Sequence, residues 1–317
     1  MIKDLSTYFF TREGIVKAVD KVSLNINREE VVGLVGESGC GKSTAALSIL
    51  RLIPHPGKIV GGKIIFDGED LLKKSEEEMR KVRGDRISMI FQDPTSSLNP
   101  VFQVGEQINE AITSHVKIDK SKGMKKTIEL LEKVGIPDAS RRGKAYPHEF
   151  SGGMKQRAMI AMALICEPDL LIADEPTSNL DVTIQAQIIE LMRRLKEDIG
   201  SSILLITHNL ALVTDIANKI GIMYAGKLVE FASTEAIYEK PRHPYTRALL
   251  CSIPSVDVTV ERLGVIPGEV PSLIKPLTGC RFHPRCEYST ELCCKEEPTM
   301  SEIESGHLVS CLRVHEI

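Results

Sequence analysis

The sequence predicts an α/β protein: a mostly parallel sheet covered by helices, with a helical insertion and a small loop-rich tail that carries cysteines. Three observations carry this. From residue 1 to about 235, short runs rich in Val and Ile alternate with stretches of helical period. Between Asp93 and Phe150 the strand signals stop, and Met124, Ile128, Leu131 and Val134 recur at helical spacing on one face. After Glu239 the stretches KPRHPY, IPSV, VIPGEVPSL and IKPL crowd prolines together; each removes a backbone donor and bars a long helix.

The expected strands are Glu30–Val35, Ile87–Phe91, Leu170–Ala173 and Ser202–Ile206. The span Ile220–Phe231 holds two apolar runs around Ala225-Gly226-Lys227, a turn signal that predicts a closing hairpin, and the main core is expected to end there. In 317 residues, 42% hydrophobic and 26% charged side chains suit a chain that buries a core and not a disordered one. The longest apolar run, Ala158–Cys166, is about half the roughly 20 residues a membrane span needs. MIKDLSTYFF sets charges beside a short apolar patch with no small-residue cleavage site, so a cytosolic chain is expected. The formal charge of -3 gives no global attraction to nucleic acid, so any polyanion site is local.

Gly36-Glu37-Ser38-Gly39-Cys40-Gly41-Lys42-Ser43 fits G-x-x-x-x-G-K-[ST] between the apolar run VVGLV and the helix-like AALSIL. Glycines let the backbone wrap so that consecutive N–H groups and a helix N-terminus face an anion. Lys42 supplies a charge to the β and γ phosphates and Ser43 can ligate Mg²⁺. Gly36, Ser38, Gly39, Cys40, Gly41, Lys42, Ser43 and Thr44 are therefore the candidate nucleotide-binding residues. A second element, Leu170-Leu171-Ile172-Ala173-Asp174-Glu175, ends a strand in two adjacent acids. By itself such a pair is an ordinary solvated turn. Coupled with the phosphate loop, Asp174 takes the Mg²⁺ role and Glu175 the general-base role toward an attacking water.

Phe150-Ser151-Gly152-Gly153-Met154-Lys155-Gln156-Arg157 resembles the signature motif of the ATP-binding subunits of ABC transporters, with Phe150 where Leu is usual and Met154 where Gln is common. Independently of any family, a Ser hydroxyl and two Gly N–H groups at a helix start make an anion site. The resemblance implies an ABC ATPase core of the P-loop NTPase type in residues 1–239, with a helical subdomain over about 93–155 and an extension over 240–317. It implies head-to-tail pairing, in which Ser151, Gly152 and Gly153 of one subunit face the γ-phosphate held by the other. The remaining motifs stand in the family's order: Gln92 after a strand, Ser178-Asn179-Leu180-Asp181 after the acids, and His208 after SILLIT. By the resemblance Gln92 senses Mg²⁺ and water, Asp181 lines the seam of the pair, and His208 contacts the γ-phosphate. Asn179 replaces the family's usual Ala. The family also stacks an aromatic on adenine; of Tyr8, Phe9 and Phe10, strand alternation with Leu5 and Thr7 selects Phe9.

Phe91-Gln92-Asp93-Pro94-Thr95-Ser96-Ser97-Leu98-Asn99-Pro100 and Pro241-Arg242-His243-Pro244-Tyr245-Thr246-Arg247 resemble the oligopeptide and dipeptide importer ATPases in particular. This implies ATP hydrolysis at the cytoplasmic face of a membrane, powering peptide import through two separate permease subunits fed by a substrate-binding protein. A second ABC ATPase subunit, related or identical, completes the pair. The same motor role for nickel or oligosaccharide, or a soluble ABC ATPase without a membrane partner, are the alternatives.

Cys280, Cys286, Cys293 and Cys311 form a C-x5-C-x6-C-x17-C array in the proline-interrupted tail. Four thiolates from separated loops can hold a [4Fe-4S] cluster or tetrahedral Zn²⁺; disulfides and free thiols are the other readings. Structural zinc favours tighter Cys pairs, which points to iron–sulfur, and the peptide-importer ATPases carry a similar array. Cys294 is a substitute for Cys293, and His283 and His307 are further donors for zinc.

Overall fold

The computed structural model describes residues 1–93, 97–178, 180–252, 266–274 and 276–317. Pro94, Thr95, Ser96 and Asn179 of the motifs above lie outside them. The chain divides into two compact units, one of residues 1–26, 31–73 and 206–317, the other of 27–30 and 74–205.

The first unit contains two sets of strands. Ile2–Thr11 pairs antiparallel with Gly14–Leu24 on one side and with Gly57–Phe66 on the other, and Glu69–Asp70 closes the edge. In the second set, Val31–Val35 runs parallel to Lys219–Tyr224. All five of its residues are buried, which explains the unbroken apolar run VVGLV: a strand covered on both faces has no solvent side to mark with polar residues. Lys219–Tyr224 turns into Lys227–Ser233 through Ala225 and Gly226, both left-handed at φ 45 and 83, the geometry of a tight hairpin turn. The expected hairpin is therefore present. The core does not end at it, however: His307–Val309 adds to Lys227–Ser233 and Ser301–Glu304 adds to His307–Val309. Three residues are too short to show a period, which is why the sequence concealed this strand.

The second unit pairs Ile87–Ile90 parallel with Leu170–Asp174, next to which lies the part of the strand Ser202–Thr207 up to Leu205. Its helices include Val104–His115, Lys120–Lys133, Gly152–Leu164 and Val182–Ile199. The predicted helical face is there: Leu131 and Val134 are fully buried, with Ile108, Ile112 and Ile160. Met124 and Ile128 are only half-buried, and Gly123 and Thr127 take the covered positions between them.

Candidate functional site

In the first unit the phosphate loop links the strand Val31–Val35 to the helix Lys42–Ile49. Gly41 precedes the helix at φ 105, and a Cβ there would stand 2.0 Å from the Ala18 carbonyl oxygen. At Gly36 a Cβ would stand 2.1 Å from the Met223 carbonyl oxygen. Both glycines are thus fixed by close approach of neighbouring backbone. Lys42 is buried, and its ammonium donates to the Gly36 and Glu37 carbonyls at 2.8 and 3.1 Å, so the charge is held inside the loop. Ser38 and Gly39 are exposed; Ser43 and Thr44 are half-buried at the helix start. Cys40 is fully buried, and burial raises its thiol pKa against the opposing pull of Lys42. The loop is supported from below, where the Gly226 N–H of the hairpin turn donates to the Cys40 carbonyl at 2.9 Å. An anion cradle of exposed backbone, a confined ammonium and a hydroxyl at a helix start fits a nucleotide triphosphate with Mg²⁺.

His208, in the same unit, follows the strand Ser202–Thr207 and is exposed. Its neighbours fix the backbone: Thr207 Oγ1 accepts from the Asn209 N–H, and Asn209 caps the helix Leu210–Thr214.

In the second unit the strand Leu170–Asp174 ends with Asp174 buried and Glu175 half-buried at φ 45. Glu175 Oε2 accepts from Gln92 Nε2 at 3.1 Å and from Ser178 Oγ at 2.7 Å. Two donors on the carboxylate fix its orientation. Gln92, Asp174 and Glu175 are thereby gathered at the exits of two adjacent parallel strands. Ser151 caps the helix Gly152–Leu164 by accepting from the Met154 N–H. A Cβ on Gly152 would come no closer than 4.0 Å to any neighbouring side chain or backbone, and one on Gly153 no closer than 3.5 Å. Among the described residues nothing crowds these two glycines. Asp181 caps Val182–Ile199 through the Ile184 N–H at 3.0 Å.

The alternation that selected Phe9 is broken by register shifts between Leu5 and Thr7 and between Thr7 and Phe9, and Leu5, Ser6 and Thr7 are all buried in succession. Phe9 is half-buried with its ring edge 2.7 Å from where a Gly57 Cβ would stand, Tyr8 donates to Asp20, and Phe10 is the exposed ring of the three.

Cys280, Cys286, Cys293 and Cys311 line one pocket together with Phe282 and His283. All are free of disulfides. Burial pushes the Cys280 thiol up to about 11, and the nearby Cys311, Cys286 and Cys293 add to the rise. Among the described residues no group of three or more such side chains is drawn close enough to hold a metal ion. Cys294 is exposed and outside the pocket, which leaves Cys293 as the third member of the set. His307 is not a pocket residue: it bonds to the buried carboxylate of Glu230 at 2.7 Å.

Sequence reasoning missed Glu230 and Arg285. Glu230 is fully buried and accepts from the Arg242 and His243 N–H groups and from His307, fixing the 240s segment and the strand His307–Val309 to Lys227–Ser233. Burial alone raises its pKa, but His307 and the other donors outweigh that and hold it below the usual range. Arg285 grips Glu37 of the phosphate loop. Neither partner is visible in a lone sequence, because nothing in it marks which distant residues meet.

Residues 19–178 match the family described as ABC transporter, and residues 229–293 match that described as oligopeptide/dipeptide transporter, C-terminal region. The chain is 50% identical over 318 residues to a probable peptide ABC transporter ATP-binding protein, y4tR, of Sinorhizobium fredii, covering 100% of this chain and 95% of that one. It is 48% identical over 310 residues to the dipeptide transport ATP-binding protein DppD of Escherichia coli, covering 98% and 95%. Among solved structures it resembles the dimeric post-hydrolysis state of the ATP-binding cassette MJ0796 bound to ADP and Pi, with a TM-score of 0.67 and 26% identity over 74% of this chain and 97% of that one. A family match over half the sequence and near-half identity over its whole length lead to one conclusion: the chain belongs to the ABC transporter ATP-binding family, in its oligopeptide/dipeptide branch.

Proposed function

We propose that this chain is the ATP-hydrolysing subunit of an importer for dipeptides or short oligopeptides, working at the cytoplasmic face of a membrane with two permease subunits, a substrate-binding protein and a second ATP-binding subunit. The relatives named above are peptide and dipeptide transport proteins, which favours peptide over nickel or oligosaccharide and over a soluble ATPase. No described helix is long and apolar enough to cross a membrane, so the passage itself belongs to other chains. The observation that carries the reading is the open surface at Gly152 and Gly153 beside the Ser151 cap, a helix tip suited to an anion at which no described residue crowds either glycine.

The phosphate loop binds and orients ATP, with Lys42 on the β and γ phosphates. Ser43, Gln92 and Asp174 are the residues that would hold Mg²⁺, whose positive charge would favour phosphoryl transfer. Glu175, held by Gln92 and Ser178, orients the attacking water and receives its proton. His208 and the other subunit's Ser151, Gly152 and Gly153 face the γ-phosphate, and Asp181 lies at the seam. The second subunit is a related chain rather than a copy in the arrangement we favour. Phe9 stacks on adenine in this reading. Closure on two ATP molecules and reopening after hydrolysis supply the motion that the permeases use.

Glu175→Gln is the test. It is expected to lower turnover about 10²–10⁴-fold while ATP binding persists and an ATP-bound pair accumulates; a variant that keeps turnover sinks the assigned role.

Cys280, Cys286, Cys293 and Cys311 are proposed to hold a [4Fe-4S] cluster, with Zn²⁺ as the other metal their thiols suit. The donor set gathered in one pocket supports this. Its role would be structural: to staple a segment too rich in proline and loop to bury much core. Iron and zinc content of protein purified without oxygen, with and without Cys286→Ala, decides between them.

A further inference from the structure

Glu37 is the second residue of the phosphate loop, and each of its three polar groups is engaged. Its carbonyl accepts from the Lys42 ammonium at 3.1 Å. Its N–H donates to the Tyr245 hydroxyl at 3.0 Å. Its carboxylate takes a two-pronged ion pair from Arg285, at 2.7 and 3.0 Å. The last two partners come from the segment after Glu239.

Both are rigidly held. Tyr245 is fully buried and packs against Tyr224 and Phe282, ring centroids 4.6 and 5.3 Å away. The Arg285 side chain is 4% exposed. Its Nε donates to the Pro267 carbonyl at 2.8 Å, its remaining N–H groups reach the Ile266 carbonyl and the Tyr224 hydroxyl, and the guanidinium lies over the Tyr224 ring. A planar fork saturated in this way is fixed in direction as well as in charge.

A carboxylate in the wall of a loop built for a polyanion opposes binding unless it is neutralised. We infer that Arg285 and Tyr245 are positioning residues for the nucleotide reaction: Arg285 cancels the Glu37 charge and, with Tyr245, fixes the Glu37 backbone on which the Lys42 ammonium rests. The tail is then a working part of the phosphate loop, and its stapling matters to ATP affinity. This rests on the ATP-binding reading above.

The test uses the full chain and a fluorescent ATP analogue. Arg285→Gln is expected to weaken binding about tenfold and Tyr245→Phe about threefold, in line with losing a charge-assisted and a neutral hydrogen bond. The weakening should appear in KM, with kcat changed less than twofold. Arg285→Lys keeps the charge without the fork and should fall between wild type and Arg285→Gln; it also serves if Arg285→Gln does not fold. The decisive variant is Glu37→Gln combined with Arg285→Gln, which removes both charges and should return affinity to within about threefold of wild type. Affinity unchanged in Arg285→Gln, or a loss that the double variant does not relieve while both melt at the same temperature, overturns the inference. Failure of wild type to bind, or undiminished binding by Lys42→Ala, would sink the ATP reading instead.

Discussion

The phosphate loop and the signature helix tip both set glycines at a helix start, yet they are built in opposite ways. The loop is held from outside itself: by backbone at Ala18 and Met223, by the Gly226 N–H, and by Tyr245 and Arg285, residues up to 248 positions away. The helix tip is held locally, by Ser151 on Met154 three residues on, and a Cβ on either glycine meets nothing closer than 3.5 Å. One site is braced by residues distant in sequence; the other is uncrowded among the described residues. An interior surface constrains glycine by contact, whereas an interface that forms only on association leaves glycine unexplained until the partner is considered.

Replacing glycine by alanine in each site separates the two most sharply. Gly41→Ala, strained at φ 105 and 2.0 Å from a carbonyl, should cost about 3 kcal/mol or more and abolish nucleotide binding, read by thermal melting and by the fluorescent analogue. If it folds and binds normally, the loop is not clamped as described. Glu230→Ala comes next. It leaves the Arg242, His243 and His307 donors without their buried acceptor, for an expected loss of about 3 kcal/mol in chemical denaturation.

The same carboxylate sets a pH dependence. Its folded pKa is lowered, so its contribution is present above the ordinary carboxylate range and lost as pH falls through the folded value. Denaturation midpoints should drop below about pH 4.5, and Glu230→Gln should lessen that drop.

Ser151→Ala removes a local cap and should cost about 1 kcal/mol. Gly152→Ala should change stability by less than about 1 kcal/mol while ATP-dependent pairing, followed by light scattering, is lost. Pairing that survives Gly152→Ala would show that the empty space there has no occupant.

What the sequence disclosed follows the same division. The strands at Val31–Val35 and Leu170–Asp174, the loop between strand and helix, and the acids at a strand exit are each written in a few adjacent residues, and they appear where spacing puts them. The alternation that points to Phe9 is interrupted by register shifts of Ile2–Thr11 against both neighbouring strands, which its own residues do not mark. Glu37 with Arg285, Glu230 with His307, and the buried pair of Asp20 with Arg281 are meetings of distant residues. An acid inside a phosphate loop was the one available hint that a cation must come from elsewhere.

The separation of Glu37 from Arg285 has a consequence for synthesis on the ribosome. At roughly 5–20 residues per second, the 248 positions from Glu37 to Arg285 occupy about 12–50 s. During that interval the Glu37 carboxylate lacks its Arg285 partner, and on the role proposed for that pair the phosphate loop is complete only when the tail arrives.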